Sequence, residues 1–258
     1  MDNNNNNNNK NLHDYHTIDA KPVELENDYV FFRRSFFFKI TSIVVVFLIK
    51  VFIYFIYGKL ILGLRVKNKK RKKLLKKEGF ILVSNHIHPL DAIWLGAMIF
   101  PKKVFVTMLQ TNLGLPFVGK FLRIAGGVPI PLKREQMPNF LNELKNELNQ
   151  NISILVMVEA AIKPYHIGIR KFFNGAFRFA VNSEVRILPF VYIYRKRKGL
   201  FKFIFKKPRL ELHILEPYEP VIYDKKSDSI KKSKDDVHYI MSNYFNQYSD
   251  LKDPDYKA

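Results

Sequence analysis

Four consecutive apolar residues, Phe80-Ile81-Leu82-Val83, lead into Ser84-Asn85-His86-Ile87-His88-Pro89-Leu90-Asp91 and then into the apolar stretch 92–100. A strand that is apolar at every position has no polar face to give to water. It must lie inside a sheet that is covered on both sides. The stretch after it reads as a buried helix. Pro89 suits the first helical position and biases His88 toward an extended conformation. Asp91 then falls in the first helical turn, where the backbone dipole favours a carboxylate.

The same alternation continues. Residues 103–107, 127–130, 152–158 and 186–194 read as strands, and 116–125, 137–149 and 174–182 as helices. Residues 201–205 and 210–214 are candidates for further strands, and 230–244 carries apolar residues at helical spacing. The expectation is an α/β fold: a single domain with a largely parallel central sheet flanked by helices.

In open α/β sheets, sites gather beyond the carboxyl ends of the strands. His86 and Asp91 stand there, five positions apart. On one helix that spacing would not put them on a common face. Across a strand-to-helix turn, the carboxylate can fold back to the imidazole, fix its tautomer and stabilise its protonated form. His-x-x-x-x-Asp alone is a common chance pattern; the strand-turn-helix context gives it weight. His88, next to Pro89, reads as a loop residue.

The formal net charge is +20, and cysteine is absent. The second fact excludes disulfides, cysteine-based zinc sites and a thiol nucleophile. The first favours anionic partners. Residues 40–58 are apolar apart from Lys50 and would span about 28 Å as a helix, close to a bilayer core. Basic residues flank this segment on both sides, most densely from Lys67 to Lys77. A membrane-associated helix or helical hairpin dipping into one leaflet fits those flanks, with the basic run gripping anionic lipid. The heavier C-terminal cluster places the main domain on the cytoplasmic side. Nucleic acid is the rival partner, but the basic run lacks the interleaved aromatic residues that stack on bases, so no nucleic acid is expected. The expected organisation is a low-complexity, disordered tail over 1–28, a membrane-associated segment over 29–66, a basic linker over 67–78 and the catalytic domain over 79–258.

The stretch Ile81 to Gly96, "ILVSNHIHPLDAIWLG", resembles the first block of the glycerolipid acyltransferase superfamily, which includes lysophosphatidate and glycerol-3-phosphate acyltransferases. Leu115-Pro116-Phe117-Val118-Gly119 with Leu122 to Ile130 is similar to the second block, Leu155 to Glu159 with Phe173 to Ala180 to the third, and Ile187 to Val191 to the fourth. The resemblance covers residues 79–220. It implies transfer of a fatty acyl group from a thioester donor, acyl-CoA or acyl-carrier protein, to a lysophospholipid hydroxyl. The acceptor expected first is 1-acylglycerol-3-phosphate. His86 would act as general base and Asp91 as its partner, with no metal and no cofactor beyond the acyl co-substrate.

The match departs from the family in two places. Where the second block ordinarily carries an acidic residue and an arginine, Pro131 and Leu132 stand, followed by Lys133 and Arg134. The third block ordinarily reads proline, glutamate, glycine, threonine, arginine. Here only Glu159 is kept, in Val158-Glu159-Ala160-Ala161-Ile162, and Lys163 lies one position beyond the arginine slot. Lys133, Arg134 and Lys163 are therefore expected to hold the acceptor's phosphate. Glu159 is expected to complete the pocket, by orienting a substrate hydroxyl or pairing with a cation. Two alternatives are a catalytically impaired relative that only binds lipid or membrane, and an acyltransferase for another acceptor.

Overall fold

The computed structural model describes residues 23–26, 28–197 and 208–251. The expected tail over 1–22 and strand over 201–205 lie outside them. Among the described residues one sheet forms, in the order β1-β7-β6-β2-β5-β3-β4. Its strands are β1 (Arg65–Lys67), β2 (Ile81–Ser84), β3 (Val104–Leu109), β4 (Gly127–Ile130), β5 (Ser153–Met157), β6 (Ile187–Arg195) and β7 (Arg209–Ile214). The five expected strands pair in parallel. β7 runs antiparallel to β6, and β1 is parallel to β7. β2, apolar from Ile81 to Val83, occupies the middle, as its composition requires.

Both faces are covered. On one, α4 (Met137–Asn149), α5 (Gly175–Ser183) and a closing helix (Lys226–Tyr248) pack on Ile81, Val83, Ile154 and Val191. On the other, α2 (Asp91–Ile99) lays Trp94, Leu95 and Met98 against Leu82, Leu155 and Leu188. α2 is charged at its ends as the helix dipole favours. Asp91 opens it. Lys50 donates to the Phe100 carbonyl at 3.3 Å and Lys72 to that of Met98 at 2.6 Å, at its carboxyl end.

The apolar N-terminal segment is a single helix, α1 (Phe36–Ile49), continued with π winding over Lys50–Ile61, rather than a hairpin. It is long and apolar enough to cross a membrane, and most of it is unburied. Both ends are fastened to the same domain. Before it, Phe31 and Phe32 sink into the core, the Glu143 carboxylate accepts from the Phe31 and Phe32 amides, and Arg34 pairs with buried Glu147 at 2.6 Å. After it, Leu64 is buried and the chain enters β1.

Two expected boundaries move. Leu25, placed in the disordered tail, is buried, and Gln136 donates to the carbonyls of Leu25 and Glu26. The basic linker is built into the domain. Its first residue, Lys67, ends β1, and Lys69–Lys76 forms a 3-10 turn that buries Leu75. Arg71 donates to the Ile214 carbonyl at 2.7 Å. The leucines of this run, Leu74 and Leu75, face the core.

Candidate active site

Beyond Ser84 the backbone leaves the sheet, but its pairing does not stop. The Asn85 amide donates to the Tyr192 carbonyl at 3.0 Å, and its oxygen accepts from the Tyr192 amide at 2.8 Å. A side chain thus stands in for a strand residue, and the main chain is free to turn. Asp91 closes that turn. One carboxylate oxygen, Oδ2, accepts from the amides of Ile87 at 2.7 Å and His88 at 2.8 Å and faces His86 Nδ1 at 3.3 Å. From β6, the Tyr192 hydroxyl donates to the Asp91 carbonyl and the Tyr194 hydroxyl to that of Ile87.

Asp91 is fully buried, while the His86 side chain keeps 17% of its surface exposed. Burial pushes the Asp91 carboxyl above the usual carboxylate range, opposed by the bonds from His86, His88 and Ile87. Its Oδ1 has no protein partner. With Nδ1 turned to Asp91, His86 Nε2 is the nitrogen left to exchange a proton with a substrate. His88 is engaged elsewhere: its Nδ1 accepts from the Leu90 amide and its ring packs on Trp94.

Glu159 follows β5, next to β2, and its side chain is fully buried. Its Oε2 accepts from the His86 amide at 3.1 Å and from Arg170 Nε at 2.9 Å, and its Oε1 from the Arg170 amide at 2.9 Å. The Arg170 guanidinium also donates to the carbonyls of His86 and Ala161. The His86 backbone is therefore held on its N–H by Glu159 and on its carbonyl by Arg170. Of the two roles open to Glu159, pairing with a cation is the one formed. Arg170 is the residue that reasoning from the sequence missed. A buried carboxylate at the end of an apolar strand demands a cation, and Arg170 is near enough in the chain to have been considered.

The three expected phosphate contacts separate. The Lys163 amide donates to the His86 carbonyl at 3.2 Å, so exposed Lys163 stands at the site. Lys133 and Arg134 are also exposed, but they follow β4, three strands from β2. Three strand spacings are about 14 Å, so strand order sets these two cations apart from Lys163, which stands at the end of β2. Among the described residues, no group of three or more His, Cys, Asp or Glu side chains could hold a metal ion.

An acid-supported histidine at the carboxyl end of the central strand of a mostly parallel sheet is an arrangement suited to the proton transfers of acyl transfer. The family model described as Acyltransferase matches residues 65–193, half of the chain, and the chain belongs to that family. Among solved structures it is similar to the crystal structure of the 1-acyl-sn-glycerophosphate (LPA) acyltransferase, PlsC, from Thermotoga maritima, with a TM-score of 0.53 and 18% identity over 82% of this chain and 86% of that one. At that identity the likeness speaks for the fold. No curated protein matches this sequence.

Proposed function

We propose that this acyltransferase moves a fatty acyl group from acyl-CoA or acyl-carrier protein to the free hydroxyl of lysophosphatidate, with His86 as general base. The observation that carries the reading is the His86–Asp91 pair at the end of β2, held through the His86 backbone by Glu159 and Arg170. His86 Nε2 accepts the acceptor's hydroxyl proton as that oxygen attacks the thioester carbon. The tetrahedral intermediate then collapses, the carbon–sulfur bond breaks, and the leaving thiolate takes the proton back from the imidazolium. Asp91 places its carboxylate against the positive charge that develops on the ring. Lys163 is the cation assigned to the acceptor phosphate, as a point charge beside His86.

The acceptor is a membrane lipid, and the helix 36–61 supplies the attachment. With both ends fastened to one domain, it lies in the interface on the cytoplasmic side rather than spanning the bilayer. Lys50 leaves the apolar face by reaching the end of α2.

The test offers purified protein a mixture of lysolipids with labelled acyl-CoA and acyl-carrier protein, and reads the products by mass spectrometry. Phosphatidate is the expected product. Exclusive acylation of an acceptor without a terminal phosphate monoester would refute the acceptor assignment, and no acylation at all would refute the reaction.

A further inference from the structure

Phe117 is 91% exposed, the most exposed large hydrophobic side chain among the described residues. Its φ of 57° is in the left-handed region, where a bulky residue is rare and costs about 1–2 kcal/mol. The position is fixed from behind. α3 (Val118–Ile124) begins at the next residue, and a Cβ on Gly119 would meet the Leu113 carbonyl oxygen at 2.4 Å, so only glycine lets α3 sit this close. A strained backbone presents an aromatic ring to solvent, and among the described residues nothing covers it. Phe121 is exposed on the same helix, Leu109 (56%) ends β3, and Leu132 (62%) follows the adjacent strand β4. Gln110 ties those two loops together by accepting from the Leu132 amide at 2.9 Å. The cations Lys120, Lys133 and Arg134 stand exposed around this corner, with the exposed acids Glu135 and Glu24 beside them, the latter next to Val23, whose carbonyl accepts from Gln110.

We propose that this corner is a second membrane contact, in which Phe117 and its apolar neighbours enter an anionic leaflet and the three cations meet its head groups. This rests on the reading of α1 as the membrane helix. α3 packs against α1, so the corner is continuous with that surface, and its charge complements anionic lipid. An acidic carrier protein would satisfy the cations, but it would leave the apolar side chains without their natural solvent. The contact would fix the domain's tilt on the membrane, with the carboxyl ends of the strands, and so His86, turned toward the source of acceptor.

The chain has no cysteine, so single-cysteine variants label cleanly. F117C, L132C, F47C on α1 and K231C on the closing helix each carry an environment-sensitive fluorophore. The full-length proteins are reconstituted into phosphatidylcholine–phosphatidylglycerol vesicles with nitroxides on the acyl chains. The expected result is strong quenching at 117, 132 and 47, and none at 231. If 47 is quenched while 117 and 132 keep their emission, the proposal is overturned and the α1 attachment stands. If none is quenched, both fail. Protection at 117 that arises only on adding acyl-carrier protein overturns the proposal in favour of that partner.

Discussion

Replacing Arg170 with alanine tests the least expected part of the site. The Glu159 side chain is fully buried and Arg170 is 11% exposed. Removing the guanidinium strands a carboxylate in the interior, which costs about 3–5 kcal/mol. For a domain of this size each kcal/mol moves the midpoint by roughly 2–4 °C, so Tm should fall by about 6–20 °C. Glu159→Gln leaves an acceptor in place for the His86 amide, and Arg170 retains its two carbonyl partners; its cost should be nearer 1–3 kcal/mol. The double variant Glu159→Gln/Arg170→Gln should be more stable than the sum of its singles, because it removes both charges together. Turnover adds a readout that fold stability does not. The pair holds both backbone groups of His86, and loosening a reactive group by about 1 Å can cost about 100-fold. kcat should therefore fall while KM changes little, and Arg170→Lys, which keeps the charge but loses the fork, should restore stability more than kcat. The measurements are thermal unfolding in detergent and thioester turnover below the melting range. An Arg170→Ala protein within about 1 kcal/mol of its parent, with unchanged kcat, would mean that the pair is solvated and does not position His86.

His86→Ala should lower turnover by about 100- to 10,000-fold without unfolding the chain; Asp91→Asn should do likewise and also lose about 1–3 kcal/mol, because its amide would place a donor where Oδ1 has no partner. Lys163→Ala should raise KM for a phosphorylated acceptor about tenfold or more and spare an unphosphorylated one, whereas Lys133→Ala should leave that discrimination unchanged; the reverse pattern in steady-state kinetics would return the phosphate site to the β4 loop. Ala160 occupies the family's glycine slot with a φ of 59°, so Ala160→Gly should stabilise the protein by up to about 1 kcal/mol in denaturant titrations. His213 is buried between Glu211 and the Tyr244 hydroxyl, and burial holds it below its ordinary 6.5, with Lys67 and Arg195 adding to the depression and Glu211 opposing it. The unfolded chain then takes up the proton first. The stabilisation is present above about pH 6.5 and is lost as pH falls through the lowered value, and His213→Gln should flatten that part of the stability profile.

The sequence was most readable where composition alone decides. β2 is apolar at each position from Phe80 to Val83 and could only be central, and the turn after it had to bring Asp91 back toward His86. Less readable were contacts that need the third dimension. Arg170 reaches Glu159 only because the segment between them folds back under the His86 loop. Lys133 and Arg134 looked close to the missing arginine slots in sequence, yet strand order sets them three strands away. β1 escaped notice because its Arg65-Val66-Lys67 has one apolar residue and reads as part of a charge run. Leu25, Phe31 and Phe32 were assigned to a tail and an anchor, although their burial depends on α4, which follows about a hundred residues later.

That last dependence has a consequence for synthesis. The helix 36–61 leaves the ribosome before any strand of the sheet, and the groups that fasten its leading end, Gln136, Glu143 and Glu147, are made much later. At about 5–20 residues per second the interval is roughly 4–17 s. Through that time an apolar helix is present with no domain to rest on. On the proposed membrane reading its first partner is a bilayer, and the catalytic domain is then assembled around a segment that is already held.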